Sequence, residues 1–173
     1  MNKPIVIAID AMGGDNSPTK IIDGIELYHQ KNKHVYFKLF GDSNIIEECL
    51  KNKNLDKKSY EVVHSENNVK GEDSALAAAK RGKNSSMWMS IESVKNKTSD
   101  IILSAGNTGA LFVIAKLNLE MIEKIDKPAL SGLWPNKLGM NIVLDLGANI
   151  ECNEKNLKDF SIMGAALHKS LFP

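Results

Sequence analysis

The chain of 173 residues is 43% hydrophobic and 25% charged, the ordinary composition of a globular domain with its own core. A formal net charge of +1 excludes bulk electrostatic attraction as a basis for binding nucleic acid, so no nucleic-acid partner is expected. There is no apolar run near the about 20 residues of a membrane-spanning helix, and no pattern typical of a secretory signal peptide.

Short apolar runs alternate with amphipathic segments along the chain. The first run, residues 4–9, is β-branched and apolar on both faces, as in a strand buried inside a parallel sheet. Further strands are predicted at residues 35–40, 60–64, 100–103, 128–134 and 141–146. Helices are predicted to start at Ser17-Pro18, at Asp73 or Ser74, at Ser85-Ser86 and at Asn153, and others cover 45–50 and 111 to about 122. The alternation predicts an α/β fold with a mostly parallel sheet and helices on both faces.

Three of the predicted strands end in loops of small and polar residues, at 10–15, 104–109 and 145–149. Ligands of open α/β sheets bind beyond the carboxyl ends of the strands, and glycines there permit close approach of the backbone. The second loop leads into a helix, whose N-terminus favours an anion. The loops therefore predict a site for phosphate or a phosphorylated ligand. Its candidate residues are Gly13, Gly14, Ser104, Gly106, Asn107, Thr108, Gly109 and Asn149.

Other kinds of site are disfavoured by the same loops. The GxxxxGK[ST] and GxGxxG patterns are absent, which argues against ATP and dinucleotides, and Ser104 lacks the GxSxG context of a nucleophile. Asp10, Asp15 and Asp145 either bind Mg²⁺ or hydrogen-bond loop amides, and the second interpretation is favoured because spacing alone fixes no ligand geometry. Neither a metal nor a cofactor is expected.

The two cysteines are far apart in sequence and neither belongs to a CxxC pair. Structural disulfides and zinc sites are therefore not expected, and a reducing cytoplasm fits this cysteine usage. Cys152 follows the third loop but has no base beside it in sequence, which disfavours a role as nucleophile.

Residues 81–86 place two cations, Arg81 and Lys83, just before the hydroxyls of Ser85 and Ser86 at a predicted helix start. That combination can hold an oxyanion by charge and by hydroxyl donors. A solvated turn between two helices explains the same residues equally well. The residues themselves leave both interpretations open.

Four blocks of sequence resemble the phosphate acyltransferase family of bacterial phospholipid synthesis. They keep the family's order over nearly the whole chain, and they are DAMGGDNSP at 10–18, RGKNSSM at 81–87, SAGNTGAL at 104–111, and PAL at 128–130 with DLGANIECNEKNLKDFSIMG at 145–164. Chains of this family are about twice as long, and the apolar end of this sequence fits a chain cut inside a domain. We therefore expect residues 1–173 to be the N-terminal part of a single domain. The resemblance implies a three-layer α/β/α fold of the isocitrate/isopropylmalate dehydrogenase type, incomplete in this chain.

The resemblance also implies an activity: conversion of fatty acyl-[acyl-carrier-protein] and inorganic phosphate to acyl phosphate. It implies catalytic roles for Arg81, Lys83, Asn107 and Thr108. Phosphate binding would fall to Ser104, Gly106, Gly109, Asn149, Ser85, Ser86, Gly13 and Gly14, and loop structuring to Asp10, Asp15 and Asp145. The expected partners are acylated acyl carrier protein and phosphate. A cytoplasmic homodimer is expected, with peripheral association at the inner face of the membrane left open.

Two alternatives are compatible with the same residues. The first is an enzyme of the phosphate acetyltransferase type that uses coenzyme A, although no block suggests a groove for an adenine nucleotide. The second is a non-catalytic phosphate-binding fragment.

Overall fold

A four-stranded parallel sheet forms the centre of the first of two units in the computed structural model, which describes residues 3–173 apart from the side chain of Arg81. The first unit ends at Leu119, and the second comprises Glu120–Pro173. The strands of the sheet are β1 (Ile5–Asp10), β2 (Val35–Gly41), β3 (Tyr60–His64) and β4 (Ile101–Ser104), in the order β3-β2-β1-β4. The helices of this unit are α1 (Thr19–Lys31), α2 (Ser43–Leu50), α3 (Ala75–Arg81), α4 (Ser86–Lys95) and α5 (Thr108–Asn118).

Helices cover both faces of this sheet. Successive residues of a strand point to opposite faces, so the apolar strands present side chains to helices on both sides. On one face, Ile9 and Leu39 pack with Ile22 of α1 and Ile46 of α2. On the other, residues of α3, α4 and α5 form a second core that includes the fully buried Met87. Each fully buried aliphatic side chain stabilises the fold by about 1.5–3 kcal/mol relative to its exposed state. The predicted α/β class with a mostly parallel sheet and flanking helices is confirmed.

Local capping signals set most helix starts as predicted. Ser74 caps α3, Ser85 caps α4, and Asn153 caps α6 (Glu154–Leu171) in a reciprocal pair with Asn156. The start of α1 differs from the prediction, since the helix begins at Thr19 and the Ser17 hydroxyl donates instead to the carbonyl of Gly13, at 2.5 Å.

The end of α5 also differs from the sequence-based expectation. The helix ends at Asn118, four residues before the predicted end, because Leu119 adopts an extended conformation. His29 is buried on α1 with its ring edge-on to that of Phe37.

The second unit contains a two-stranded antiparallel sheet, β5 (Ser131–Asn136) and β6 (Gly139–Leu144), with α6 packed on β6. These two strands form a sheet of their own and do not join the parallel sheet. Only Lys137 and Leu138 separate the strands, whereas a parallel crossover needs a dozen residues or more. Pro135 is tolerated inside β5 because both strands of a two-stranded sheet have a free edge. No helix in residues 3–173 has the length and apolar composition needed to cross a bilayer.

Candidate anion site at the carboxyl edge of the sheet

Two of the three predicted loops meet, because β1 and β4 are neighbours in the sheet. Asp10 lies opposite Ser104 in the parallel register, and the Ser104 hydroxyl donates to Oδ2 of Asp10 at 2.8 Å. The third loop, 145–149, follows β6 in the second unit. The expectation that all three loops follow strands of one parallel sheet is therefore wrong.

Asp10 is a buried hub that joins three elements. The Ser86 hydroxyl, at the start of α4, donates to Oδ1 at 2.5 Å, and Ser104 donates to Oδ2. The Ser104 oxygen in turn accepts from the backbone N–H of Gly106, at 3.1 Å. Burial raises the pKa of Asp10, and the two serine hydrogen bonds lower that pKa without cancelling the effect of burial. These contacts tie β1, α4 and the loop after β4 to one carboxylate.

The raised pKa of Asp10 gives a pH dependence with a definite sign. The native state keeps its proton to higher pH than the unfolded chain, so the contribution of Asp10 to stability is fully present below the unfolded pKa and is lost as pH rises through the folded pKa. We expect the free energy of unfolding of the wild type, minus that of Asp10→Asn, to fall across this window. Urea unfolding at a series of pH values measures this difference. A difference that stays constant or rises with pH would contradict the prediction.

Three glycines let the two loops touch through their backbones. A Cβ on Gly13 would lie 2.5 Å from Oδ2 of Asp10 and 2.9 Å from the nitrogen of Gly106. Gly14 has φ +92°, and a Cβ there would lie 2.7 Å from the carbonyl oxygen of Ala105. A Cβ on Gly106 would lie 3.2 Å from Cα of Gly13. These glycines thus allow close approach between the two loops, and binding of phosphate by their backbones stays a prediction.

Asn107 caps α5 and uses its whole amide group within the protein. Its Oδ1 accepts from the N–H of Ala110 at 2.9 Å, and its Nδ2 donates to the carbonyls of Gly71 and Asp73, both at 2.9 Å. The exposed Thr108 and Gly109 follow, in the first turn, where backbone N–H groups have no intrahelical acceptor. The start of α5 therefore offers backbone donors and the Thr108 hydroxyl to an anion, while the Asn107 side chain is engaged.

The serines of segment 81–86 also point into the protein. The Ser85 hydroxyl donates to the carbonyl of Gly82 at 2.6 Å and accepts from the N–H of Trp88, while Ser86 donates to Asp10. Lys83 is exposed in a 3-10 turn, Gly82–Asn84, between α3 and α4. The side chain of Arg81 lies outside the described part of the structure. An oxyanion clamp in this segment would therefore depend on its cations and not on its hydroxyls.

A groove of about 310 Å³ opens between these loops and the loop that connects β3 to α3. A second cavity, of about 450 Å³, is lined by the same connecting loop together with Ala78, Gly82 and Ser85. Asn68, Val69 and Lys70 line both. The groove is lined by Met12, Gly14, Asp15, Asn68, Val69, Lys70, Gly71, Ala105, Gly106 and Asn107.

The sequence-based site did not include Lys70 or Asn68. A signal for them was present, since β3 is also a parallel strand and its carboxyl end lies at the same edge of the sheet. The loop after it carries a run of polar residues, Ser65-Glu66-Asn67-Asn68. The strand-end rule applied to β3 would have found them.

The loop at 145–149 has its own internal network in the second unit. Oδ1 of Asp145 accepts from the backbone and side-chain nitrogens of Asn149, at 3.0 and 2.9 Å, and Asn149 also donates to the carbonyl of Pro128. Desolvation raises the pKa of Asp145, but hydrogen bonds from Asn149 and Cys152 outweigh it and lower the pKa overall. Desolvation and the contact with Asp145 raise the pKa of the Cys152 thiol, the opposite of what activates a nucleophilic cysteine.

Metal ligation finds no support in the arrangement of acidic groups. Residues 3–173 contain no cluster of three or more His, Cys, Asp or Glu side chains placed to hold a metal ion. Both carboxylate oxygens of Asp10 accept from serine hydroxyls. Of the three aspartates considered as Mg²⁺ ligands, Asp10 accepts hydrogen bonds from serines of two other elements, and Asp145 accepts from the backbone N–H of Asn149 within its own loop.

Comparison with known proteins decides the family. The sequence model described as "Fatty acid synthesis protein" matches residues 5–172. The chain belongs to this family. It is 61% identical to the phosphate acyltransferase of Pelagibacter ubique over 173 residues, which cover 100% of this chain and 51% of that protein. It is 38% identical to the phosphate acyltransferase of Paramagnetospirillum magneticum over 164 residues, covering 95% and 47% of the two chains.

A further relative carries the same name, phosphate acyltransferase. Identity to the phosphate acyltransferase of Beijerinckia indica is 43% over 168 residues, with 96% of this chain and 44% of that protein covered. The chain spans about half the length of the curated relatives it matches. The resemblance drawn from the four sequence blocks is confirmed.

Proposed function

We propose that this chain is part of an enzyme that transfers a fatty acyl group from acyl carrier protein to inorganic phosphate, forming acyl phosphate for phospholipid synthesis. The observation that carries the proposal is the groove at the carboxyl edge of the sheet, where the start of α5 meets the polar loop after β3. Similarity to phosphate acyltransferases over the whole chain supports the choice of reaction.

The reaction depends on the positioning of its two substrates more than on a nucleophile from the protein. A phosphate oxygen attacks the thioester carbonyl, a C–O bond forms, the C–S bond breaks, and the carrier thiolate leaves and takes up a proton. Phosphate dianion is itself nucleophilic at neutral pH. The protein must then hold two anions, phosphate and the developing oxyanion, with fixed donors in a site that limits water. The N–H groups of Thr108 and Gly109 and the Thr108 hydroxyl are suited to this task, and Lys83 and Arg81 would add positive charge.

The hydrogen bonds within the protein support a structural role for some of the other candidate residues and argue against phosphate binding by others. For Asp10 and Asp145 we propose loop structuring, supported by the donors that surround them. Asp15 lines the groove, and its assignment to loop structuring stays a prediction. Phosphate binding by four further residues also stays a prediction. Their side chains make hydrogen bonds within the protein, which argues against a contact with phosphate; the residues are Ser85, Ser86, Ser104 and Asn149.

The family relationship alone supports proposals about the larger protein. We infer that residues 1–173 are the N-terminal part of one phosphate acyltransferase domain, with an acylated carrier protein and phosphate as substrates. We infer further that the protein is a cytoplasmic homodimer. Peripheral association with the inner face of the membrane is the expectation to test by flotation with vesicles.

Trapping of acyl phosphate by hydroxylamine tests the activity. The chain is mixed with acyl carrier protein thioester, phosphate and hydroxylamine, and the hydroxamate formed in excess of that without phosphate is measured, because hydroxylamine also cleaves thioesters directly. Thr108→Val removes one hydroxyl without changing side-chain volume, and we expect kcat/KM for phosphate to fall about tenfold or more. Thr19→Val makes the same change at the first residue of α1, away from the groove, and should leave the rate unchanged.

The outcomes of the trapping assay separate the alternatives. Turnover with acetyl-coenzyme A but not with the carrier thioester would favour an enzyme of the acetyltransferase type. Phosphate binding without phosphate-dependent hydroxamate from either donor would favour a non-catalytic phosphate-binding fragment. Equal activity of Thr108→Val and the wild type would remove Thr108 from the site.

A further inference from the structure

The loop between β3 and α3, residues 65–74, is held at its first half by α4 and by the core. The N–H of Asn67 donates to the carbonyl of Asn84 at 3.3 Å, and the N–H of Ser86 donates to the carbonyl of Asn67 at 3.0 Å. Val69 is buried in the core that contains Met87. These contacts fix the loop at Asn67 and Val69, next to the residues that line the groove.

Asn107 holds the second half of the same loop. Its amide nitrogen gives one hydrogen bond to the carbonyl of Gly71 and one to that of Asp73, while its oxygen caps α5. One side chain thus joins the loop to the start of α5. Because both amide hydrogens are used, Asn107 has none left to donate to an anion without releasing the loop.

Lys70 lies between these two anchors and is exposed to the groove. Its N–H donates to Oδ2 of Asp73 at 3.0 Å, which fixes its backbone. Among the described residues that line the 310 Å³ groove, Lys70 carries the one positive charge and Asp15 the one negative charge. A lysine ammonium is a mobile point charge on a flexible stem, so its location depends on where its backbone is held.

We propose that Asn107 is a positioning residue, whose amide holds the β3–α3 loop against α5 so that Lys70 binds inorganic phosphate in the groove. The identity of the anion rests on the proposed function. The positioning by Asn107 rests only on the hydrogen bonds and can be tested without any ligand.

The first test compares two helix caps in the complete 173-residue chain. Asn107→Ser keeps a neutral capping oxygen for α5 but removes both amide hydrogens. Asn153→Ser is the matched control, because Asn153 caps α6 and no carbonyl contact of its Nδ2 is found within residues 3–173. Hydrogen exchange followed by mass spectrometry should show peptides covering 65–74 exchanging about tenfold faster in Asn107→Ser, as expected when two hydrogen bonds are lost, and unchanged in Asn153→Ser. Unchanged exchange in Asn107→Ser would overturn the proposal.

The second test measures binding of inorganic phosphate by calorimetry. Lys70→Met should weaken binding about tenfold, the loss expected for one hydrogen bond to a charged group, and Lys80→Met, on the exposed side of α3, should not. If Asn107 acts through Lys70, the double variant Asn107→Ser/Lys70→Met should bind no more weakly than Lys70→Met alone. If the loss of affinity in the double variant equals the product of the losses in the two single variants, positioning through Lys70 is overturned.

Failure of this inference and failure of the proposed function give different results. If the wild type binds phosphate and Lys70→Met binds it equally tightly, the role of Lys70 is overturned and the proposed function is not affected. Wild type that binds no phosphate would overturn the proposed function for this chain together with the role of Lys70. Faster exchange of 65–74 in Asn107→Ser would still establish the positioning by Asn107.

Discussion

Replacement of Gly13 by alanine is expected to lower the free energy of unfolding by about 3 kcal/mol, the upper end of the usual cost of overpacking. The new Cβ would lie 2.5 Å from Oδ2 of Asp10, 2.9 Å from the nitrogen of Gly106 and 2.9 Å from Oγ of Ser104. None of these atoms is the free end of a flexible side chain, since the hydrogen bonds of the hub fix Asp10 and Ser104. The two loops must therefore separate or the hub must break. Urea unfolding followed by circular dichroism measures the loss.

Gly24→Ala is the matched control for this change. Gly24 lies inside α1 and nothing is within 4 Å of the position of its added Cβ. Alanine there should stabilise the chain by about 0.5–1 kcal/mol, because glycine is a poor residue in a helix interior. Gly13→Ala with wild-type stability would mean that the loops after β1 and β4 are not in contact in solution.

Features that depend on neighbouring residues along the chain could be predicted from the sequence. The caps at Ser74, Ser85 and Asn153 satisfy helix N–H groups a few residues away, so their residue types carry the information. The meeting of the loops after β1 and β4 also followed, because strands of a parallel sheet end at the same edge.

Features that depend on distant pairing could not be predicted in the same way. Residues 141–146 read as one more buried strand, and only the short turn at Lys137-Leu138 decides that β6 pairs with β5. Burial also decides the role of polar residues, because a buried hydroxyl or amide needs a partner inside the protein. Ser85, Ser86 and Asn107 have the residue types of ligand donors, yet their partners are Gly82, Asp10 and the carbonyls of Gly71 and Asp73.

Asp10→Ala should lower the free energy of unfolding by about 3 kcal/mol. The substitution leaves the hydroxyl of Ser86, which is fully buried, and that of Ser104 without acceptors, and an unpaired buried polar group costs about 1–3 kcal/mol. The raised pKa of Asp10 means that the charged carboxylate is itself costly to bury. The loss expected from Asp10→Ala is therefore the loss of its partners' hydrogen bonds and not of a favourable charge.

A double-mutant cycle distinguishes this cause from a general loss of packing. Ser86→Ala removes one donor to Asp10, and in Asp10→Ala the Ser86 hydroxyl has already lost its acceptor. The double variant should then be less destabilised than the sum of the two single variants, by about 1 kcal/mol or more, because the unpaired hydroxyl is removed. The two variants that lack the Asp10 carboxylate should also raise hydrogen exchange in the loop after β4, since the Ser104 oxygen that accepts from the N–H of Gly106 is held in place by its own hydrogen bond to Asp10. Additive destabilisation would show that Asp10 and Ser86 contribute independently, and that the carboxylate does not couple α4 to the loop that opens α5.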